Sequence, residues 1–378
     1  MAPTKKILIV CGEPSGDLHA SNLVKDLKSL DSSIRFFGMG GSLCKKAGVE
    51  IAFDISDLAL VGLVEVLKNI FTVGRAYQAV LKKADDEKLD LAILVDYPGF
   101  NLRLAAELKK RSIPVAYYIS PQVWAWGRNR VNIIKRCVRK ILVFFKFEEE
   151  LYKTYGIDAE FVGHPLLDTV KMSIQKEEFL KKHGFSKDKP VLALLPGSRP
   201  NEVRTLLPVM AAAAAIIKKS DSGIQFAVSK HPDLEMGLYD SALKGSGIEA
   251  KLIEGGTYDL VGSSDLALVA SGTATLETAI IGTPLVITYK VSFGTFVAYK
   301  IVSKTRFLGI VNIIAGREIA PEFLQYEATP ENIAAKLSEL IRDKSKLDAM
   351  RAELAKVKSS LGPPGASMRA ARAILTTL

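Results

Sequence analysis

Residues 6–38 read KILIVCGEPSGDLHASNLVKDLKSLDSSIRFFG. The apolar run 6–11 predicts a strand, 17–30 has the spacing of an amphipathic helix, and 34–38 predicts a second strand. Such a βαβ unit pairs its strands in parallel and covers the sheet with its helix. The runs LAILV (91–95), VAYYI (115–119) and KILVF (140–144) continue the series. They are apolar throughout rather than alternating, as expected of strands buried on both faces. Residues 163–166, Gly-His-Pro-Leu, and the charged stretch 171–189 break the pattern. It then restarts at 190–195 and continues through 224–229, 252–253, 266–269 and 285–288. The expected fold is therefore α/β: two doubly wound, Rossmann-like domains, 1–165 and 166–345, with a ligand cleft at the carboxyl ends of their strands. Residues 346–378 form a helical tail that packs back on the first domain or is exchanged in a dimer.

Composition limits what such a chain does. With 378 residues it exceeds one ordinary core, and 48% apolar with 24% charged residues describes a globular protein. The 3 cysteines, Cys11, Cys44 and Cys137, are widely spaced and suit a reducing compartment. The first residues, MAPTKKILIVCGEPSGD, hold too short an apolar run for a signal peptide, and no segment reads as a transmembrane helix. A net charge of +10 suits a phosphorylated substrate or an anionic membrane. A basic cluster, Arg128, Arg130, Lys135, Arg136, Arg139 and Lys140, fits the membrane reading or a solvated helix face. No nucleic-acid-binding signature accompanies it. The 4 histidines lack metal-ligand spacing, so no metal site is expected.

Four loops at predicted strand ends carry candidate chemistry. LVASGTATLE (268–277) ends a strand in Ser271, Gly272 and Thr273 and opens a helix, a natural seat for a diphosphate. Glu277, one turn further on, can accept from ribose hydroxyls; G-x-G-x-x-G and the Walker sequence are both absent. LPGSR (195–199) offers Gly197 and Ser198 as a nest and Arg199 as a bidentate phosphate donor. GEPSGD (12–17) brings Glu13, with Ser15 and His19 beyond it, and Asp17 can cap the following helix. DYPGFN (96–101) sets Asp96 directly after an apolar strand, where it serves as a general base or a helix cap, with Asn101 nearby. One apolar stretch, 58–73, is either core or a membrane-facing surface presenting Val64, Leu67, Ile70 and Phe71.

These segments, with GLVEVL, ISPQVWAWG, FVGHPLLD and NIIAGREIAPEFLQ, occur in an order that resembles the lipid-A-disaccharide synthase family from Gly12 to Gln325. The resemblance implies an inverting, metal-independent glycosyltransferase of the GT-B type that uses no organic cofactor. It implies transfer of 2,3-diacylglucosamine from UDP-2,3-diacylglucosamine to 2,3-diacylglucosamine 1-phosphate, giving a β-1,6-linked disaccharide 1-phosphate and UDP. Asp96 matches the family's essential aspartate and Arg199 its essential arginine, and Asn312 falls in the segment that closes over the donor. Val311 stands where the family usually has proline before Asn312. The resemblance further implies a peripheral protein on the cytoplasmic face of the inner membrane that can form homodimers. Two alternatives remain. One is another UDP-sugar enzyme of GT-B architecture, such as a lipid hexosaminyltransferase or a UDP-GlcNAc 2-epimerase. The other is a non-enzymatic UDP-sugar-binding membrane protein, against which the spread of Glu13, Asp96 and Arg199 over three strand ends counts.

Overall fold

The computed structural model describes residues 4–58, 65–121, 123–124, 129–290 and 306–378, without the side chains of 65–70 and 129. The chain forms two compact units, Met1–Pro165 with Leu361–Leu378, and Leu166–Ser360. The first contains strands β1 (Lys6–Val10), β2 (Arg35–Gly40), β3 (Val49–Asp54), β4 (Leu91–Val95), β5 (Val115–Tyr118), β6 (Lys140–Val143) and β7 (Ala159–Phe161). They pair in parallel in the order β3-β2-β1-β4-β5-β6-β7. Alternate residues face opposite sides: Leu8, Val10, Ala92 and Leu94 enter one core, Ile7, Ile9, Leu91 and Ile93 the other.

The second unit repeats the plan with β8 (Val191–Leu195), β9 (Gln225–Lys230), β10 (Ala250–Glu254), β11 (Leu266–Ala270), β12 (Leu285–Tyr289) and β13 (Glu322–Leu324). Their order, β10-β9-β8-β11-β12-β13, is again parallel throughout. Both sheets are doubly wound, the fold class the apolar runs predicted. β3, β7 and β13 are additions to the expected strands. All three lie at sheet edges and are largely half-buried, so they carry no apolar run to read.

The expected tail divides at residue 360. Helix Lys344–Ser360 buries Leu347, Met350, Leu354 and Val357 within the second unit. Helix Ala366–Leu375 lies against helix Pro14–Leu30 of its own chain, its Ala370, Ala371, Ala373 and Ile374 entering the first unit's core. Arg369 fastens this end by donating from Nε to the Val162 carbonyl at 2.8 Å.

Asp17 differs from its expected role. It sits inside the first turn of helix Pro14–Leu30, but its carboxylate accepts from the N–H groups of Gly41 (2.8 Å), Leu43 (3.0 Å) and Cys44 (3.1 Å). It therefore caps helix Ser42–Lys46, locking the β2–β3 connection to the end of β1. Asp17→Ala should lower unfolding free energy by about 3 kcal/mol or more, because each buried N–H left unpaired costs roughly 1–3 kcal/mol. Urea denaturation checks this, and an unchanged midpoint would mean that water replaces the carboxylate.

Candidate active site

In each sheet the strand order reverses once, between β1 and β4 and between β8 and β11. Open α/β sheets bind ligands outside the carboxyl ends of the strands at that reversal. The four loops singled out from the sequence are the ones at these ends. Glu13 follows β1, Asp96 follows β4, Ser198 and Arg199 follow β8, and Ser271 and Gly272 follow β11.

In the first unit, Asp96 and Tyr97 both have φ of +47°. Two successive left-handed residues other than glycine cost energy and mark a turn that its surroundings impose. The surroundings are visible. The Asp96 N–H donates to the Tyr118 carbonyl at 3.0 Å, and its own carbonyl accepts from Asn101 Nδ2 (2.7 Å) and the Tyr117 hydroxyl (2.6 Å). The backbone is thus held on both sides, helix Pro98–Lys110 has no side-chain cap, and within the turn the Asp96 carboxyl meets only the Tyr97 N–H. Burial, and then the negative charge of Glu13, raise the Asp96 pKa above the ordinary carboxylate range. Glu13 is exposed at the N-terminus of helix Pro14–Leu30 and likewise makes no capping bond. Gly12 leaves no room for a side chain: a methyl group there would overlap the Tyr97 ring, which lies across the β1 loop.

In the second unit, Gly197 has φ of +107° and leads into helix Pro200–Ser220. The expected nest exists but is occupied. Glu202 Oε2 accepts from the N–H groups of Ser198 (3.1 Å) and Arg199 (3.3 Å), and a methyl on Gly197 would strike the same oxygen. The loop is thus shaped by an internal carboxylate, and the phosphate donor it offers is the Arg199 guanidinium. That side chain is 78% exposed, with Nη1 3.5 Å from Glu202 Oε1. Across the reversal, Gly272 is the N-cap of helix Thr273–Ile281 at φ +153°. Gly272 and Thr273 are exposed and Ser271 is half-buried, so this helix start is open to solvent. Glu277 sits one turn in, where its Oε1 accepts from the Tyr258 hydroxyl at 3.0 Å. Burial raises its pKa and the Tyr258 bond pulls it back down.

Residues 7–374 match the family described as lipid-A-disaccharide synthetase. The chain belongs to that family. The lipid-A-disaccharide synthase of Syntrophus aciditrophicus is 43% identical over 376 residues, covering 99% of this chain and 98% of its own. That of Myxococcus xanthus is 41% identical over 378 residues, covering 100% and 99%. Two solved structures, MurG of Acinetobacter baumannii and the glycosyltransferase CalG4, superpose at TM-scores of 0.63 and 0.62. They are only 13% and 16% identical, with 99% of this chain covered by each and 100% and 98% of the neighbours, and they establish the fold alone. The fold is GT-B, and the family makes this chain a glycosyltransferase of lipid A biosynthesis.

Other candidates from the sequence are placed differently. Asn101 is fully buried, and its amide holds the carbonyls of Val95 and Asp96. Asn312 is also fully buried: Nδ2 donates to the Ala320 carbonyl and Glu322 Oε1, and Oδ1 accepts from the N–H groups of Ile319 and Ala320. Both shape loops rather than present an amide to a ligand. His19 lies edge-on to Phe144 at 5.6 Å, and burial lowers its pKa to about 4. Ser15 is exposed on the first turn of its helix. Phe71 is 76% exposed, whereas Ala76, Val80, Leu81 and Ala84 of the same helix are core. Val64, Arg128 and the side chains of Leu67 and Ile70 lie outside the described residues. Among the other basic residues, Lys140 pairs with Glu160 at 2.7 Å, and Lys135, Arg136 and Arg139 are exposed.

Sequence reasoning missed Glu148. It is 4% exposed, accepts from Ser120 Oγ and Trp124 Nε1 at 3.1 Å each, and burial pushes its pKa up to about 7. It is one of three consecutive glutamates, and nothing in KFEEE marks which of them turns inward. Tyr258 was missed as well, because its partner lies 19 residues away.

Proposed function

We propose that the chain transfers 2,3-diacylglucosamine from its UDP derivative to 2,3-diacylglucosamine 1-phosphate with inversion and without a divalent cation. The single observation that carries this reading is Asp96. It is an ionisable side chain at the reversal of the first sheet, with burial and then Glu13 raising its proton affinity against the opposing pull of the Tyr97 N–H. A base whose pKa lies closer to neutrality accepts a proton more readily. Asp96 removes the proton from the acceptor 6-hydroxyl as that oxygen bonds to the anomeric carbon. The carbon–oxygen bond to UDP breaks from the opposite side, so an α-linked donor gives a β-linked product. Arg199 and the N-terminus of helix Thr273–Ile281 take up the charge that develops on the departing diphosphate.

A cation is not needed for that charge in this reading. Among the described residues, Cys11, Asp17 and Cys44 come within ligand reach of one another, but the Asp17 oxygens already accept three N–H groups. The Cys11 side chain beside it, then burial and the Asp17 carboxylate, raise the Cys44 pKa and keep it a thiol. The deciding experiment is a radiolabelled assay with UDP-2,3-diacylglucosamine and the 1-phosphate acceptor, read by product chromatography with and without EDTA. A disaccharide 1-phosphate with the β-linkage, formed equally with chelator, is expected; product from a UDP-sugar alone would support an epimerase instead.

Membrane attachment belongs to the same reading. No described helix is long and apolar enough to cross a membrane. Phe71, 76% exposed on a helix whose Ala76, Val80, Leu81 and Ala84 are buried, supports surface contact with lipid. Phe71→Ser should weaken binding to anionic vesicles roughly tenfold, the scale of one apolar side chain, with an unchanged melting temperature. Sedimentation with vesicles tests it, and equal binding by both proteins removes Phe71 from the contact.

A further inference from the structure

Tyr258 lies in helix Thr257–Ser263, which follows β10 and packs against helix Thr273–Ile281. The helix is pinned on either side of this residue. Thr257 Oγ1 is 2.8 Å from Ser229 Oγ at the end of β9, and Asp259 Oδ1 accepts from the N–H groups of Ser173 (2.6 Å) and Ile174 (3.2 Å). Two successive left-handed glycines, Gly255 and Gly256, set its starting angle. The Tyr258 hydroxyl is therefore a donor on a fixed support. It reaches Glu277 Oε1 at 3.0 Å across 19 residues of chain.

A glutamate on a helix swings about three side-chain torsions, and holding it in one orientation costs conformational entropy. A phenol fixed beside one carboxylate oxygen removes that freedom before any ligand arrives. A carboxylate has about four acceptor positions, so one donor leaves capacity for a vicinal diol. The same bond favours the ionised, accepting form, opposing the burial that raises the Glu277 pKa.

We propose that Tyr258 is a positioning residue for recognition of the donor's ribose, acting through Glu277. This rests on the reading of Glu277 as the ribose acceptor. Binding of UDP and of 2′,3′-dideoxy-UDP, measured by calorimetry on the full chain, tests both. The variants are Tyr258→Phe, Glu277→Ala and the double substitution. Tyr258→Phe should weaken UDP by about five- to tenfold, the scale of one ordinary intramolecular hydrogen bond, and leave the dideoxy compound within twofold. Glu277→Ala should show the same selectivity, and adding Tyr258→Phe to it should change nothing further. Equal weakening of both nucleotides by Tyr258→Phe would make its role one of general support and overturn the inference, as would unchanged UDP binding. Should Tyr258→Phe fail in either way while Glu277→Ala remains hydroxyl-selective, the inference falls alone. Loss of that selectivity in Glu277→Ala removes the ribose reading and the inference together.

Discussion

Asp96→Asn should reduce turnover by about 10²–10⁴-fold, the usual contribution of a positioned general base, while UDP affinity stays within a few-fold. Asparagine keeps the size of the side chain but cannot take a proton. It also tolerates the left-handed backbone that this position adopts, being among the residues enriched there. The bonds to Tyr118, Asn101 and Tyr117 run through the Asp96 backbone and survive the substitution, and the amide oxygen of asparagine can still accept from the Tyr97 N–H that lies against the carboxylate. Stability and UDP binding then separate a chemical defect from a structural one. Unchanged turnover would remove Asp96 from the base role.

The acid limb of the pH–rate profile gives an independent reading. A base works only when ionised, so a raised pKa means that activity is lost on acidification at a higher pH than for an ordinary carboxylate. Burial is the larger cause of the rise and the Glu13 charge the second. Glu13→Gln removes that charge, lowers the Asp96 pKa and should move the acid limb of kcat/KM to lower pH. A limb that stays in place would mean that another group titrates.

Arg199→Ala should lower kcat/KM by about 30- to 900-fold, from roughly 2–4 kcal/mol of lost transition-state stabilisation. Folding should not suffer. The side chain is 78% exposed and its contact with Glu202 is a surface pair of the kind that contributes about 0–1 kcal/mol. Because Glu202 already occupies the backbone donors of Ser198 and Arg199, little in this loop besides the guanidinium can substitute. Arg199→Lys should restore charge without the planar fork and recover only part of the loss. Steady-state kinetics beside a thermal melt checks both, and normal kinetics after Arg199→Ala would mean that the diphosphate charge is met elsewhere.

Much of this site was legible because short apolar strands end abruptly in polar loops. Asp96 stands out directly after LAILV, and Arg199 in the short LPGSR loop that ends VLALL. Side chains whose partners lie far along the chain did not stand out. Asn101 and Asn312 read as polar residues in functional loops, yet both are buried: Asn101 Nδ2 holds the Val95 and Asp96 carbonyls, and Asn312 is engaged by Ile319, Ala320 and Glu322. Gly197 and Ser198 read as a phosphate nest, and the carboxylate filling it comes from three residues beyond Arg199. A capping box of that spacing is recognised from sequence when serine, threonine, aspartate or asparagine opens it; here the first member is arginine.

The sequence by itself determined the two parallel sheets, the positions of their central strands and the four loops at their carboxyl ends. Strands buried on both faces must be apolar along their whole length, and that constraint is written locally. Tertiary structure decided the edge strands, the division of the C-terminal segment between two units, and which polar groups remain for a ligand. Those depend on hydrogen bonds between distant residues: Asp17 to Cys44, Asn312 to Ala320 and Tyr258 to Glu277. A buried polar group must find a partner somewhere, and the chain alone does not say where.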